Sequence, residues 1–182
     1  MKIDINKLIR DKKYCEKVFV EFIKRNMIRE NKLKSFEKHI NKALSNLKFA
    51  NFLVEEHEDS IKIKLPNKTF YDWCIIIYYY SIYHTALALI TKAGYESKNH
   101  MATITAITLF YYHKDNLLKK EDIEFLIEKI SLEKTDIDLV FDSKELRERA
   151  CYGADQLFEL RQALALKKET VDFVNKIRIF LG

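Results

Sequence analysis

At 182 residues the chain is the length of one domain with its own core and is short for two. Three Gly and one Pro supply few tight turns, which argues against a hairpin-rich β architecture, and 48% apolar with 32% charged residues is the balance of a folded chain, not a disordered one. The net charge of +5 is compatible with an anionic partner but below that of a dedicated duplex-binding domain.

The stretch from Met1 to Leu8 alternates charged and apolar residues and holds no signal-peptide core, which predicts a cytoplasmic protein. From 4 to 30, the apolar residues Ile5, Leu8, Ile9, Cys15, Val18, Phe19, Phe22, Ile23 and Met27 recur at helical spacing. This predicts an amphipathic helix with a break near Asp11. A second helix carries Leu33, Phe36, Ile40, Ala43, Leu44, Leu47, Ala50, Phe52 and Leu53 on one face, ends near Glu56, and pairs with the first as a helical hairpin. Ile61 to Pro66 alternates apolar and charged residues and reads as a short strand or an extended loop, the one β candidate.

Thr69 with Asp72 is a loose capping box ahead of a helix from Phe70 to Ala93, which Gly94 ends. Its segment Trp73 to Ile90 is the most apolar of the chain. The hydroxyls of Tyr78, Tyr79, Tyr80, Ser81, Tyr83 and Thr85, with the imidazole of His84, fit a membrane span poorly and suit a central helix surrounded by others. Ser97 or Asn99 caps the next helix, His100 to about His113. An amphipathic helix from Lys120 to Ile130 follows, then a polar linker from Ser131 to Asp138. Asp142 and Glu145 open a last helix, Ser143 to about Leu181, kinked at Gly153 and interrupted near Lys167 and Lys168. No internal repeat is visible. The sum is a single all-α domain over 1–182: an up-and-down bundle of four to five main helices with an additional N-terminal helix, and at most one short extended segment near 61–65.

Cys15, Cys74 and Cys151 are widely separated and lack a CxxC spacing, so they read as buried free thiols and not as a disulfide framework or a zinc site. His39, His57 and His113 have no His or Glu four residues away, and no metal or cofactor is predicted. The basic run through Lys24, Arg25, Arg29, Lys32, Lys34 and Lys38 is interrupted by Glu30 and Glu37, as a solvated face would be.

Two stretches carry a resemblance. One is Tyr79-Tyr80-Ser81-Ile82-Tyr83-His84-Thr85-Ala86-Leu87-Ala88-Leu89-Ile90, continued by Lys92-Ala93-Gly94-Tyr95-Glu96-Ser97-Lys98-Asn99-His100. The other is Arg147-Glu148-Arg149-Ala150-Cys151-Tyr152. The first is similar to the HEPN family (higher eukaryotes and prokaryotes nucleotide-binding), with its paired Tyr, aromatic-His step, Ala-Leu-rich turn, Gly-Tyr exit and Lys-x-His entry to the next helix. The second resembles the Arg-x-x-Ala-Asp-Tyr element of HEPN proteins that accompany minimal nucleotidyltransferases, with Cys151 in place of Asp. The likeness covers about 70–165.

The resemblance implies a helical bundle that dimerises and serves a toxin-antitoxin or defence system by binding RNA, a nucleotide or a partner nucleotidyltransferase. Its candidate anion-binding cleft is Arg147, Arg149 and Tyr152, with His84, His100, Lys98 and Tyr80. HEPN nucleases place a His four to six residues after an Arg, whereas here Tyr152 stands at that place and no His follows Arg147. Cleaving RNA without metal needs a base for the 2′-OH and a cation for the phosphorane; imidazole suits the first and guanidinium the second, while a phenol is a poor base at neutral pH. The implied activity is therefore binding without the standard RNase motif. Its rivals are a metal-independent RNase that recruits His84 or His100, and a structural protein-interaction module. On the residues alone, His84 also reads as a hydrogen-bonded core histidine and Tyr79, Tyr80 and Tyr83 as core or interface.

Overall fold

The computed structural model describes residues 3–31, 33, 35–66, 70–130 and 156–182. Two aspartates shape its start. Asp4 Oδ1 accepts from Lys7 N at 3.0 Å and opens α1 (Ile5–Arg10); Asp11, extended at φ −123°, ends α1 and accepts from Tyr14 N at 3.0 Å to open α2 (Lys12–Lys24). The predicted break is therefore an N-cap. α2 buries Cys15, Val18, Phe19 and Phe22 and stops six residues short of the predicted end, because Asn26 enters the left-handed region at φ 59° and turns the chain.

Beyond that turn lies β1 (Ile28–Glu30), paired antiparallel with β2 (Tyr95–Ser97) so that Arg29 faces Glu96. The extended residues are thus not at 61–65. His57–Ile61 forms a π-helical turn running into α4 (Lys62–Lys64), and Leu65 N still bonds Ile61 O at 2.8 Å. Among the described residues no strand pairs with the Ile-Lys alternation, and Ile63 is 76% exposed, so its period of two reflects solvent and not a buried strand face. Conversely, strands of three residues are too short to show an alternation.

α3 (Glu37–Glu56) buries Ile40, Ala43, Leu47, Ala50 and Val54. Leu33, expected on that face, precedes the helix and is 87% exposed; Phe52 lies off the buried stripe and is 55% exposed. α5 (Tyr71–Lys92) is the central helix. Phe70 precedes it without a side-chain cap, Asp72 Oδ1 accepts from Trp73 N at 2.8 Å, and the Thr69 half of the expected capping box lies outside the described residues. α5 is long and apolar enough to cross a membrane, with mean hydropathy 1.4, yet 61% of that window is buried among other helices, as in a bundle core. Gly94 ends it at φ 89°, in the conformation a C′ glycine supplies.

Asn99, not Ser97, caps α6 (His100–Ile107), accepting from Ala102 N at 3.0 Å. The helix continues as a π-helical segment, Thr108–Lys114. Thr103, Thr105 and Thr108 are buried there because each hydroxyl donates to the carbonyl four residues back. α7 (Lys120–Ile130) buries Ile123, Leu126 and Ile130. α8 (Gln156–Leu181) runs without the interruption expected at Lys167 and Lys168: Lys167 Nζ reaches Glu55 Oε1 of α3 at 2.7 Å, while Ala163, Thr170, Val174 and Ile177 continue the buried stripe. Gly153 and the capping pair Asp142 and Glu145 lie outside the described residues. Cys15 and Cys74 are buried free thiols, and Cys151 is outside the description.

Candidate functional site: an aromatic and imidazole face of the central helix

The two faces of α5 differ. Cys74, Tyr78, Ile82, Thr85 and Leu89 are buried; Trp73, Ile76, Ile77, Tyr80, Tyr83, His84 and Leu87, stepping three or four residues at a time, are half-buried or exposed. Tyr80 is 41% and Trp73 45% exposed. Hydroxyls on the buried side are spent inside the bundle: Tyr78 O–H donates to Asn51 Oδ1 at 2.7 Å, Ser81 Oγ to Ala43 O at 2.8 Å and Thr85 Oγ1 to Ser81 O at 2.9 Å.

Those bonds to α3 also set its antiparallel register on α5, with Asn51 against Tyr78 and Ala43 against Ser81. One turn further, His39 meets His84. Their Nδ1 atoms are 3.5 Å apart and their ring centroids 5.8 Å, with 27° between the planes. The centroid separation exceeds the nitrogen separation by about two ring radii, so the nitrogens face each other head-on. One Nδ1 must then carry hydrogen and the other a lone pair, in a contact long for a hydrogen bond. A zinc ion on the line between them would need roughly 4 Å, twice a Zn–N bond. Among the described residues no three His, Cys, Asp or Glu side chains come together to hold a metal.

On the opposite flank the start of α6 carries His100 to the tyrosines. Its Nε2 lies 3.3 Å from Tyr79 Oη, and its ring meets that of Tyr83 edge-on with centroids 4.8 Å apart. Tyr79 and Tyr83 lie nearly parallel at 6.2 Å, and Tyr79 meets Tyr80 edge-on at 5.2 Å. An aromatic and imidazole chain thus crosses α5 from α3 to α6: His39, His84, Tyr83, His100, Tyr79, Tyr80.

Burial sets the protonation states. It lowers the His39 imidazole; His84 is lowered by burial first and then by the charges of His39 and Lys42. Both rings are therefore neutral at pH 7. Burial raises the phenols of Tyr79 and Tyr83, with neighbouring phenols adding to the first. They remain donors, not phenolates.

Of the residues singled out in the sequence, His84, His100 and Tyr80 come to this one face. Lys98 is exposed two residues before His100, its backbone N bonded to Met27 O at 3.3 Å. Arg147, Arg149 and Tyr152 lie outside the described residues. His39 and Lys42 are newly placed beside the site. The sequence signal for them was the small pair Ala43 and Ser81, which lets α3 and α5 approach closely, but only the helix register turns that approach into a His39–His84 contact.

Beyond Tyr79, a groove of about 360 Å³ opens between α5, α7 and α8, lined by Ile75, Tyr79, Ile82, Leu166, Lys129 and Glu169 among others. Lys129 spans it, with Nζ 2.8 Å from Glu128 and 3.2 Å from Glu169; burial lowers its ammonium, and the two carboxylates outweigh that and raise it. One lysine against two glutamates leaves the groove's lining acidic. No family model, no curated protein and no solved structure matches this chain.

Proposed function

We propose that this chain is a HEPN-like cytoplasmic protein that binds single-stranded RNA on the open face of α5. The observation that carries the reading is the aromatic and imidazole chain across that face, in which Tyr80 is exposed and His39, Tyr83, His84 and His100 are half-buried. Accessible rings such as Tyr80 and Trp73 offer stacking platforms for unpaired bases, and imidazoles and the flanking Lys42 and Lys98 offer donors to phosphates. The sequence resemblance adds Arg147 and Arg149 as further phosphate ligands, a homodimer as the assembly, and a toxin-antitoxin or defence system as the setting.

The test is fluorescence anisotropy with an end-labelled single-stranded RNA in EDTA. Stacking on one aromatic ring is worth about 1–3 kcal/mol, so Tyr80→Ala weakens binding by roughly 5- to 150-fold. Unchanged affinity in both Tyr80→Ala and His100→Ala refutes the placement. One observation favours a second reading, metal-independent cleavage: His84 is neutral at pH 7 and faces an imidazole able to share its proton, as a general base requires. That reading expects 2′,3′-cyclic phosphate ends in EDTA, lost in His84→Ala.

A further inference from the structure

The seam between α3 and α5 brings together three groups that can carry positive charge, and no acid among the described residues pairs with them. Among the described residues, neither His39 nor His84 is ion-paired or hydrogen-bonded to a carboxylate; the charges acting on His84 are His39 and Lys42. From α5 itself the ring neighbour of His84 is the Tyr83 phenol at 6.1 Å, and from α6 His100 is reached only through Tyr83. None of these is anionic at neutral pH. Such a cluster is stable while the imidazoles are neutral and lacks a counter-charge once they are not.

We propose that His39, Lys42 and His84 form a phosphate subsite that takes up a proton when a phosphodiester binds. This rests on the RNA-binding reading above and deepens it by naming where a phosphate sits. The head-on contact fixes the tautomers: whichever ring donates through Nδ1 keeps a lone pair at Nε2, while its partner bears hydrogen at Nε2. The neutral pair therefore has one Nε2–H donor and one Nε2 lone pair, and because the Nδ1 atoms face each other these two point away from one another. A phosphate reaches one of these Nε2 atoms and accepts from its N–H, and adding a proton at the other leaves the Nδ1–H···Nδ1 contact in place and gives the pair a positive charge beside the anion. Lys42, exposed on α3 one turn from His39, adds a second. The phosphate thus supplies the counter-charge the seam lacks, and the proton it draws in strengthens its own binding. Because the ligand favours the protonated pair, affinity falls as pH rises.

The experiment is calorimetric titration of the full chain with a short oligouridylate, at pH 7 in two buffers of different ionisation enthalpy and across pH 5.5 to 8. Expected are net proton uptake of up to about one per site and about tenfold tighter binding at the acid end. His39→Gln with His84→Gln abolishes the uptake and flattens the pH profile; Lys42→Ala weakens binding at every pH but keeps the slope. Imidazole titration of the wild type by NMR, with and without RNA, gives the same answer without a variant: the His39 and His84 transitions move to higher pH on binding. RNA binding without proton uptake, or with the slope intact in the double variant, overturns the subsite and leaves the RNA-binding reading standing. No RNA binding at any pH overturns both.

Discussion

Ala43→Leu tests whether the packing of α3 on α5 creates the histidine contact. Ala43 has no exposed surface, and its carbonyl receives the Ser81 hydroxyl at 2.8 Å, so a larger side chain there has to displace a helix. Inserting methylenes into a filled core costs about 1–3 kcal/mol. Loss of the Ser81 bond adds about 1 kcal/mol. A destabilisation of about 3 kcal/mol is therefore expected in urea melts, with an unchanged m-value because the same surface is exposed on unfolding. The local consequence is sharper: the His39–His84 contact at 3.5 Å is already at the limit of a hydrogen bond, so parting the helices by even an ångström breaks it. In the variant the two imidazoles titrate as independent groups by NMR, whereas in the wild type they titrate as a coupled pair. A variant that keeps both its stability, within about 0.5 kcal/mol, and the coupled titration refutes the idea that close approach at Ala43 holds the pair.

The remaining predictions concern acid, caps and thiols. Because burial holds His39 and His84 below the ordinary imidazole value of 6.5, the unfolded chain binds protons first as pH falls; their contribution is intact above 6.5 and is lost below it, through the folded-state values. Urea midpoints across pH 5 to 8 check this, and a fall no smaller in the His39→Gln, His84→Gln double variant counts against it. Asp11→Ala removes the oxygen that holds Tyr14 N and costs about 1 kcal/mol, read by the same melts. Cys15 and Cys74, each pushed up to about 12 chiefly by burial, resist iodoacetamide at pH 8 in the native protein and react in urea, as peptide mapping shows.

Legibility in the sequence followed the range of the interaction that decides each feature. The break at Asp11, the exit at Gly94 and the helix Lys120–Ile130 are fixed by residues three or four apart, and periodicity and capping chemistry found them, while the choice of Asn99 over Ser97 as the cap came only with the structure. The errors came where local pattern competed with something distant. Ile61 to Leu65 alternates like a strand but pairs with no strand among the described residues, and Ile28–Glu30 pairs with Tyr95–Ser97 without any alternation of its own. The Lys167-Lys168 pair looked like a break because Glu55, which receives Lys167, is more than a hundred residues away. His39 failed a metal-spacing test along its own helix, while its partner sits 45 positions on.

The same distinction separates structure from function along α5. A tyrosine or histidine in an apolar helix reads equally as core or as site until the destination of its polar atom is known. Tyr78, Ser81 and Thr85 send theirs to a neighbouring amide or to carbonyls that are themselves part of the helices, so their chemistry is used up in holding the bundle. His39, His84, His100 and Tyr79 send theirs to one another. Such contacts are weak stabilisers, because each partner can rotate, exchange a tautomer or gain a proton at little cost. That makes them poor structural bonds, and the phosphate proposed for this seam adds a charge-assisted bond at one Nε2 while the 3.5 Å contact between the two imidazoles stays in place. The composition of the helix says that it is central; the pairing of its polar atoms says which side of it is spent on the bundle and which side carries the proposed site.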